Sequence, residues 1–226
     1  MTGNSSFLDA LRDEYETVQR SLHEADDVEA FNVIDARMRK SFRWLEKAVT
    51  YLNDLKSPIN RRFDLGYGLA FESPRFGRGV VGQHARNIRG FSALDEVNLY
   101  YEIAAAAPLS AQVSSVEAEI LKARLEAANL RFTLRRIEGT SAGTGRFAIS
   151  VTPAIPAAVA FNADYRTGVI TVTLVNVDRL DRISLAFKSS SIRESVLDDI
   201  AKFVLGKDSA LLKTAQLAGI RGQPHA

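Results

Sequence analysis

The stretch from Arg61 to Gly90 holds the residues with the most distinctive chemistry in this chain. It contains six arginines, six glycines and four aromatic residues, with no lysine and only Asp64 and Glu72 to oppose the positive charge. Guanidinium groups bind phosphates and carboxylates, and aromatic rings stack on nucleic-acid bases. The composition therefore indicates a segment that binds nucleic acid or another polyanion.

The first half of this stretch has a second interpretation. Apolar or aromatic residues alternate with small or acidic ones over residues 63–71, which predicts a strand with one buried face. The candidate binding loop is then limited to residues 74–90. Its candidate partner-binding side chains are Arg75, Arg78, His84, Arg86 and Arg89.

Four uses of this loop remain open. It is a structural connection beside an edge strand, a contact surface for a protein or a second copy, or a binding site for a polyanion. In the fourth, His84 acts as an acid or base with a neighbouring carboxylate in a pocket.

Two glycine-rich motifs resemble phosphate-binding loops but lack their context. Gly77, Gly79 and Gly82 spell GxGxxG, yet the motif neither follows a buried strand nor opens a helix. The segment 139–145 lacks the lysine of a P-loop and lies between two strand patterns, which favours a hairpin connection. The chain has no cysteine, and its three histidines have no metal-ligand spacing. We therefore predict no metal, no cofactor and no catalytic group.

Length and composition indicate a globular protein. A chain of 226 residues, 46% hydrophobic and with a net charge of +2, can bury a proper core. Acidic residues interrupt any signal peptide after Met1, and no stretch reaches the roughly 18 apolar residues that a membrane span needs. We expect a soluble protein, and a chain without cysteine fits the reducing cytoplasm.

The elements that must position the arginine-rich stretch begin with a long helical segment. No glycine or proline occurs from Asn4 to Ser57, and apolar residues recur at alternating spacings of three and four, as in a heptad seam. The predicted seam residues are Leu8, Leu11, Val18, Leu22, Ile34, Met38, Leu45 and Leu52.

The seam changes phase over residues 23–29, and the charge changes sign at the same place. Residues 1–30 carry eight acidic residues and two arginines, whereas residues 31–60 carry six basic residues and three acidic ones. We therefore predict an antiparallel helical hairpin over residues 1–57, in which opposite charges face each other. One long helix with a local irregularity is the alternative.

The rest of the chain mixes strand and helix patterns. Alternation predicts strands over 97–105, 131–137, 147–152, 158–162, 169–177 and 182–188, and helical spacing predicts helices over 114–129, 192–205 and 209–218. Ser114 and Glu117 have the spacing of a capping box. Short, turn-rich connections favour antiparallel pairing. The predicted fold class is α+β, with the helical hairpin followed by a mostly antiparallel sheet that has helices on one face.

These patterns divide the chain into four segments. We expect a coiled-coil-like hairpin over 1–57, a strand plus Arg/Gly-rich loop over 58–90, an antiparallel α+β domain over 91–218 and a disordered tail over 219–226.

The first expectation of function is a non-enzymatic interaction or assembly protein. It would form a homo-oligomer or dock to a protein partner through its N-terminal helices. The second is a binder of nucleic acid or another polyanion through residues 74–90. The third is an enzyme or small-ligand binder with a pocket near His84.

Overall fold

The computed structural model describes residues 7–88, 90–137 and 145–221, with side chains except over 7–27 and 216–221. Arg89, most of the predicted hairpin loop at 139–145 and the end of the predicted tail lie outside the described residues. The helices are α1 (Phe7–Leu55), α2 (Ser115–Ala127), α3 (Glu194–Val204) and α4 (Leu211–Thr214). The strands are β1 (Phe63–Gly66), β2 (Leu69–Phe71), β3 (Arg75–Ile88), β4 (Phe91–Ala104), β5 (Leu109–Ser114), β6 (Phe132–Arg136), β7 (Arg146–Val151), β8 (Ala154–Asp164), β9 (Val169–Val175), β10 (Arg182–Lys188) and β11 (Gln216–Arg221).

The N-terminal segment is one continuous helix, α1, so the prediction of an antiparallel helical hairpin was wrong. A chain reversal requires residues that leave the helical conformation, and no glycine or proline occurs between Phe7 and Leu55. The phase change of the seam is accommodated without a turn. The helix ends only at Leu55, where Lys56 follows with a positive φ of 42°.

A six-stranded sheet forms the body of the protein, in the order β11-β10-β9-β8-β4-β3. All strand pairs in the described part of the chain are antiparallel, which confirms the predicted pairing. Strand β3 forms one edge of this sheet and β11 forms the other.

The edge strand β3 covers most of residues 74–90, so the prediction of a loop there was wrong. Its glycines break the alternation of side chains that signals a strand. The register with β4 also shifts between Phe76 and Gly79 and again between His84 and Ala85. Pairing with β4, rather than local propensity, makes this segment extended.

A three-stranded sheet, in the order β5-β7-β6, continues the large one. Ala104 pairs with Ala154 in the large sheet and Leu109 pairs with Val151 in the small one, so a single two-stranded ribbon runs through both. Helix α2 packs on β5 and β7. It begins with the predicted capping box of Ser114 and Glu117, which is confirmed.

The predicted strand over 63–71 is a hairpin of β1 and β2. Tyr67 and Gly68 form its turn, and both have positive φ. The alternating apolar residues Phe63, Leu65, Leu69 and Phe71 are all buried.

One hydrophobic core lies between the helices and one face of the sheets. Helix α1 buries Ile34, Met38, Leu45 and Val49 on its sheet-facing side, and α3 buries Leu197, Ile200 and Phe203. From the sheet, every second residue of β8, β9 and β10 is buried in the same cluster. The residues that alternate with them form the opposite face, which we call the outer face, and most of them are partly exposed.

The C-terminal part departs from its predicted helix. Helix α3 lies within the predicted range 192–205, but the predicted helix over 209–218 is only the short α4, followed by strand β11. Pairing with β10 overrides the helical spacing of that segment. Within the described residues, no helix combines the length and apolarity that crossing a membrane requires.

Candidate protein-interaction surfaces

The predicted seam residues fall into two groups along α1. Ile34, Met38 and Leu45 are buried in the core, and Leu52 is partly buried beside it. The other four, Leu8, Leu11, Val18 and Leu22, lie in the first half of the helix, where only the backbone is described. The apolar side of the second half of α1 is therefore buried against the chain's own sheet.

Toward its N-terminus, helix α1 packs on the body of the protein as far as Phe31, and residues 28–30 are exposed. The ring of Phe31 lies 5.9 Å from that of Phe91, at the tip of the β3–β4 hairpin, and 4.9 Å from that of Tyr165. Farther along the helix, Asp35 accepts a hydrogen bond from the backbone N–H of Leu94 at 3.0 Å. The helix therefore runs toward the hairpin tip as it approaches its N-terminus. The 24 helical residues that precede Phe31 continue beyond this point for roughly 35 Å.

Two arginines of the arginine-rich stretch serve the fold. Arg61 pairs with Asp178 at 2.9 Å, donates to the carbonyl of Val177 at 2.7 Å and lies over the ring of Phe203. This half-buried contact joins the segment before β1 to α3 and to the turn after β9.

Arg62 is neutralised within its own hairpin. It pairs with Asp64 at 2.8 Å and with Glu72 at 2.9 Å. The hydrogen bonds to these carboxylates raise the pKa of Arg62, and bonds from the Gly66 N–H and from Arg62 lower the pKa of Asp64. Neither Arg61 nor Arg62 presents an uncompensated charge to a ligand.

The remaining arginines of the stretch that the structure describes lie on β3. Arg75 donates to the carbonyl of Lys56 at 3.4 Å, and Arg86 pairs with Asp95 at 3.2 Å. Arg78 is exposed and has no ion-pair partner among the described residues. All three side chains thus lie on the edge strand of the large sheet, and Arg86 shares the carboxylate of Asp95 with His84.

His84 and Asp95 form a hydrogen-bonded pair, with 2.8 Å between Nδ1 and Oδ1. Such a pair orients an imidazole for acid–base chemistry, but catalysis also needs a concave site that holds a substrate. The His84 side chain is 65% exposed, and Arg86 occupies the other oxygen of Asp95. In the described ranges, no group of three or more histidine or carboxylate side chains could hold a metal ion.

Two shallow grooves lie elsewhere. One, of about 540 Å³, lies at one end of the outer face beside the end of α2 and is lined by Tyr100, Pro156, Asp181 and Arg182 among others. The second, of about 610 Å³, lies on the small sheet and is lined by Ser110, Gln112, Thr133, Arg135 and Ser150 among others. Neither of these two grooves is lined by His84 or by an arginine of β3.

Sequence patterns did not indicate how α1 protects the edges of the β3–β4 hairpin. The side-chain amide of Asn53 bonds both backbone groups of Gly79 on β3, and Asp35 bonds the backbone of Leu94 on β4. An asparagine and an aspartate on a helix carry no signal for this role. Only the packing of α1 along the hairpin reveals it.

Comparison with known proteins finds no family model that matches the chain, and no curated protein or solved structure that is similar to it.

Proposed function

We propose that this chain is a non-enzymatic assembly protein that pairs with a second copy of itself through the first half of α1. The observation that carries the proposal is the continuity of the helix. A hairpin would satisfy the seam of residues 8–25 inside one chain, whereas in a continuous helix this seam precedes the residues that pack on the chain's own sheet.

The second half of α1 is not available to a partner helix. Ile34, Met38 and Leu45 are at most 2% exposed and pack in the chain's own core. Isolated helices are only marginally stable in water, and most helical stability comes from packing of an apolar side. The 24 residues of α1 that precede Phe31 span roughly 35 Å and carry apolar residues at heptad spacing, so a partner helix would stabilise them.

A second copy supplies a partner with the matching pattern. In a twofold-symmetric dimer the same surface of each chain contacts its equivalent, so one association covers both seams. The first half of α1 is acidic, with eight acidic residues against two arginines in residues 1–30. Two such helices repel each other, and added salt screens this repulsion.

Salt dependence separates self-association from docking to a different, basic partner. We expect sedimentation equilibrium of the full chain to show a dimer or higher oligomer whose dissociation constant falls as salt is added. A chain that stays monomeric at every protein and salt concentration would contradict the proposal.

The polyanion alternative has less support. Of the six arginines between residues 61 and 90, Arg61 and Arg62 are held by carboxylates of the fold and present no uncompensated charge. The aromatic rings of Phe63, Phe71 and Phe76 are buried, so they are not exposed for base stacking.

A further inference from the structure

Strand β3 directs part of its backbone away from the sheet. The side chain of Asn53 donates to the carbonyl of Gly79 at 3.0 Å and accepts from its N–H at 2.7 Å, so both groups point away from β4. In an antiparallel ladder the direction of these groups alternates from residue to residue. Val81, Gln83 and Ala85 therefore also point their N–H and C=O groups away from β4.

Hydrogen bonds made by β4 show independently that the backbone groups of Ala85 point away from β4. Leu94 receives a hydrogen bond on its carbonyl from the Tyr165 hydroxyl at 2.8 Å, and its N–H donates to Asp35. Its backbone groups thus face away from β3. Ala85 is the register partner of Leu94, and two facing residues in an antiparallel pair share this orientation. Ala85 consequently directs its backbone groups outward.

The outward groups on residues 81–87 form an open edge. Gln83, Ala85 and Asn87 are exposed, and no strand of the described chain pairs with this side of β3. The cover on this side lies earlier in the strand, where a bridge joins Pro58 to Arg75 and Asn53 caps Gly79. An unpaired strand edge is a template for another extended chain.

We propose that the edge of β3 over residues 81–87 binds an extended segment of a partner protein that carries acidic side chains. The segment would add a seventh strand to the large sheet, with backbone hydrogen bonds supplying most of the affinity. Residues 75–88 contain Arg75, Arg78 and Arg86 and no acidic residue. The Arg86 side chain is 56% exposed and that of its partner Asp95 only 17%, so the guanidinium is more accessible to an added strand than the carboxylate.

The side chains of β3 and β4 beside this edge indicate which side chains a complementary added strand would have. Val80 and Tyr100 are register partners and are 50% and 52% exposed, so they present an apolar patch on the outer face. His84 and Arg86 are held by Asp95 from the β4 side. A complementary segment has an apolar side chain beside Val80 and acidic side chains beside His84 and Arg86, alternating with residues on the other face.

A second copy of β3 is a poor occupant of this edge. It brings no acidic side chain to this edge, because residues 75–88 contain three arginines and no acidic residue, so it lacks the groups that would complement Arg86. An acidic segment supplies these groups.

The test measures fluorescence anisotropy of labelled peptides with the full chain. The probe is an eight-residue peptide, Glu-Thr-Glu-Thr-Val-Thr-Val-Thr, whose order places its glutamates beside Arg86 and His84 and a valine beside Val80 when it adds antiparallel to β3. Its control has lysine in place of both glutamates. We expect the glutamate peptide to bind, added salt to weaken it and the lysine peptide to bind at least about fivefold more weakly, because it repels the arginines. Failure of the glutamate peptide to bind at about 1 mM, or equal binding of the two peptides, would overturn the proposal.

Two variants locate the site. Proline at an edge position whose N–H faces outward leaves the hydrogen bonds between β3 and β4 intact, so we expect Gln83→Pro to fold. It removes one backbone donor from the edge, so we expect its affinity for the glutamate peptide to fall about tenfold or more. Arg86→Glu reverses one charge and leaves the backbone edge in place, so we expect roughly a fivefold loss. Circular dichroism checks the fold of both variants. If both bind the glutamate peptide as the unmodified chain does, the edge of β3 is not the site.

Two controls separate strand addition at β3 from anion binding and from self-association through α1. A single-stranded oligonucleotide that displaces the peptide and binds Gln83→Pro undiminished would show an anion site on the arginines rather than strand addition. The double variant Leu11→Gln/Leu22→Gln changes the first half of α1 and leaves β3 untouched. We expect it to bind the peptide normally, so failure of self-association and failure of peptide binding are distinguishable.

Discussion

The side-chain amide of Asn53 makes two hydrogen bonds with the backbone of Gly79, at 3.0 and 2.7 Å. A residue of helix α1 thereby takes the place that a neighbouring strand would occupy beside β3. The contact fastens the second half of α1 to the edge of the sheet. It is also the last contact that caps the backbone of this edge. Beyond it, the outward backbone groups of residues 81–87 pair with no strand of the described chain.

Removal of the Asn53 amide leaves both backbone groups of Gly79 without their partner. The contact is partly buried, and an unsatisfied buried polar group costs about 1–3 kcal/mol, so we expect Asn53→Ala to lower the free energy of unfolding by about that amount. Urea unfolding measures the change. Asp54→Ala is the matched control at an exposed neighbouring position, where we expect little effect. Equal stability of the two variants would show that the cap contributes nothing.

The glycine at position 79 is required by close packing. A Cβ added there would lie 2.7 Å from Cζ of Phe76, whose ring stacks on Tyr101 at 4.9 Å. We expect Gly79→Ala to destabilise the protein by about 1–3 kcal/mol, because it forces this ring to move. A Cβ added at Gly82 on the same strand would have no atom within 4 Å. Gly82→Ala should therefore change the free energy of unfolding in urea very little. A larger loss at Gly82 would contradict the packing described here.

The carboxylate of Asp181 is held in an unfavourable environment at neutral pH. Burial raises the pKa of Asp181 despite the opposing charge of Arg179. A raised pKa in the folded state means that the contribution to stability is full below the unfolded value, about 3.9, and is lost as the pH rises through the folded value. We therefore expect Asp181→Asn to be more stable than the unmodified chain at pH 7, with the advantage shrinking toward pH 3.

The control for Asp181 is its neighbour Asp178, which pairs with Arg61 at 2.9 Å. Asp178→Asn removes one charge of this half-buried ion pair, so the free energy of unfolding at pH 7 should fall rather than rise. If Asp181→Asn also destabilises at pH 7, the burial argument for that carboxylate fails.

Elements with a strong local signal were predictable from the sequence. Helix α2 follows its capping box at Ser114 and Glu117, and β10 spans the whole predicted range 182–188 because its apolar residues alternate. Alternation along one half-buried strand requires no knowledge of the neighbouring strands.

The elements that depend on distant contacts were not predictable in the same way. Strand β3 owes its extended form to pairing with β4, and its glycines conceal the pattern. The hairpin prediction failed because a change of seam phase and of charge does not supply residues that break a helix. The edge of β3 depends on the order of strands in the sheet and on the position of Asn53, and neither is visible in a local window.

The most direct test of the assembly proposal is the solution mass of the full chain and two double variants over a series of concentrations. Leu11→Gln/Leu22→Gln places polar side chains on the predicted seam, whereas Ala10→Gln/Thr17→Gln changes two positions beside it. All four replacements retain good helix propensity. We predict an oligomer for the unmodified chain and for the off-seam variant, and a folded monomer for the seam variant. A monomeric unmodified chain, or a seam variant that stays oligomeric, would contradict self-association through the first half of α1.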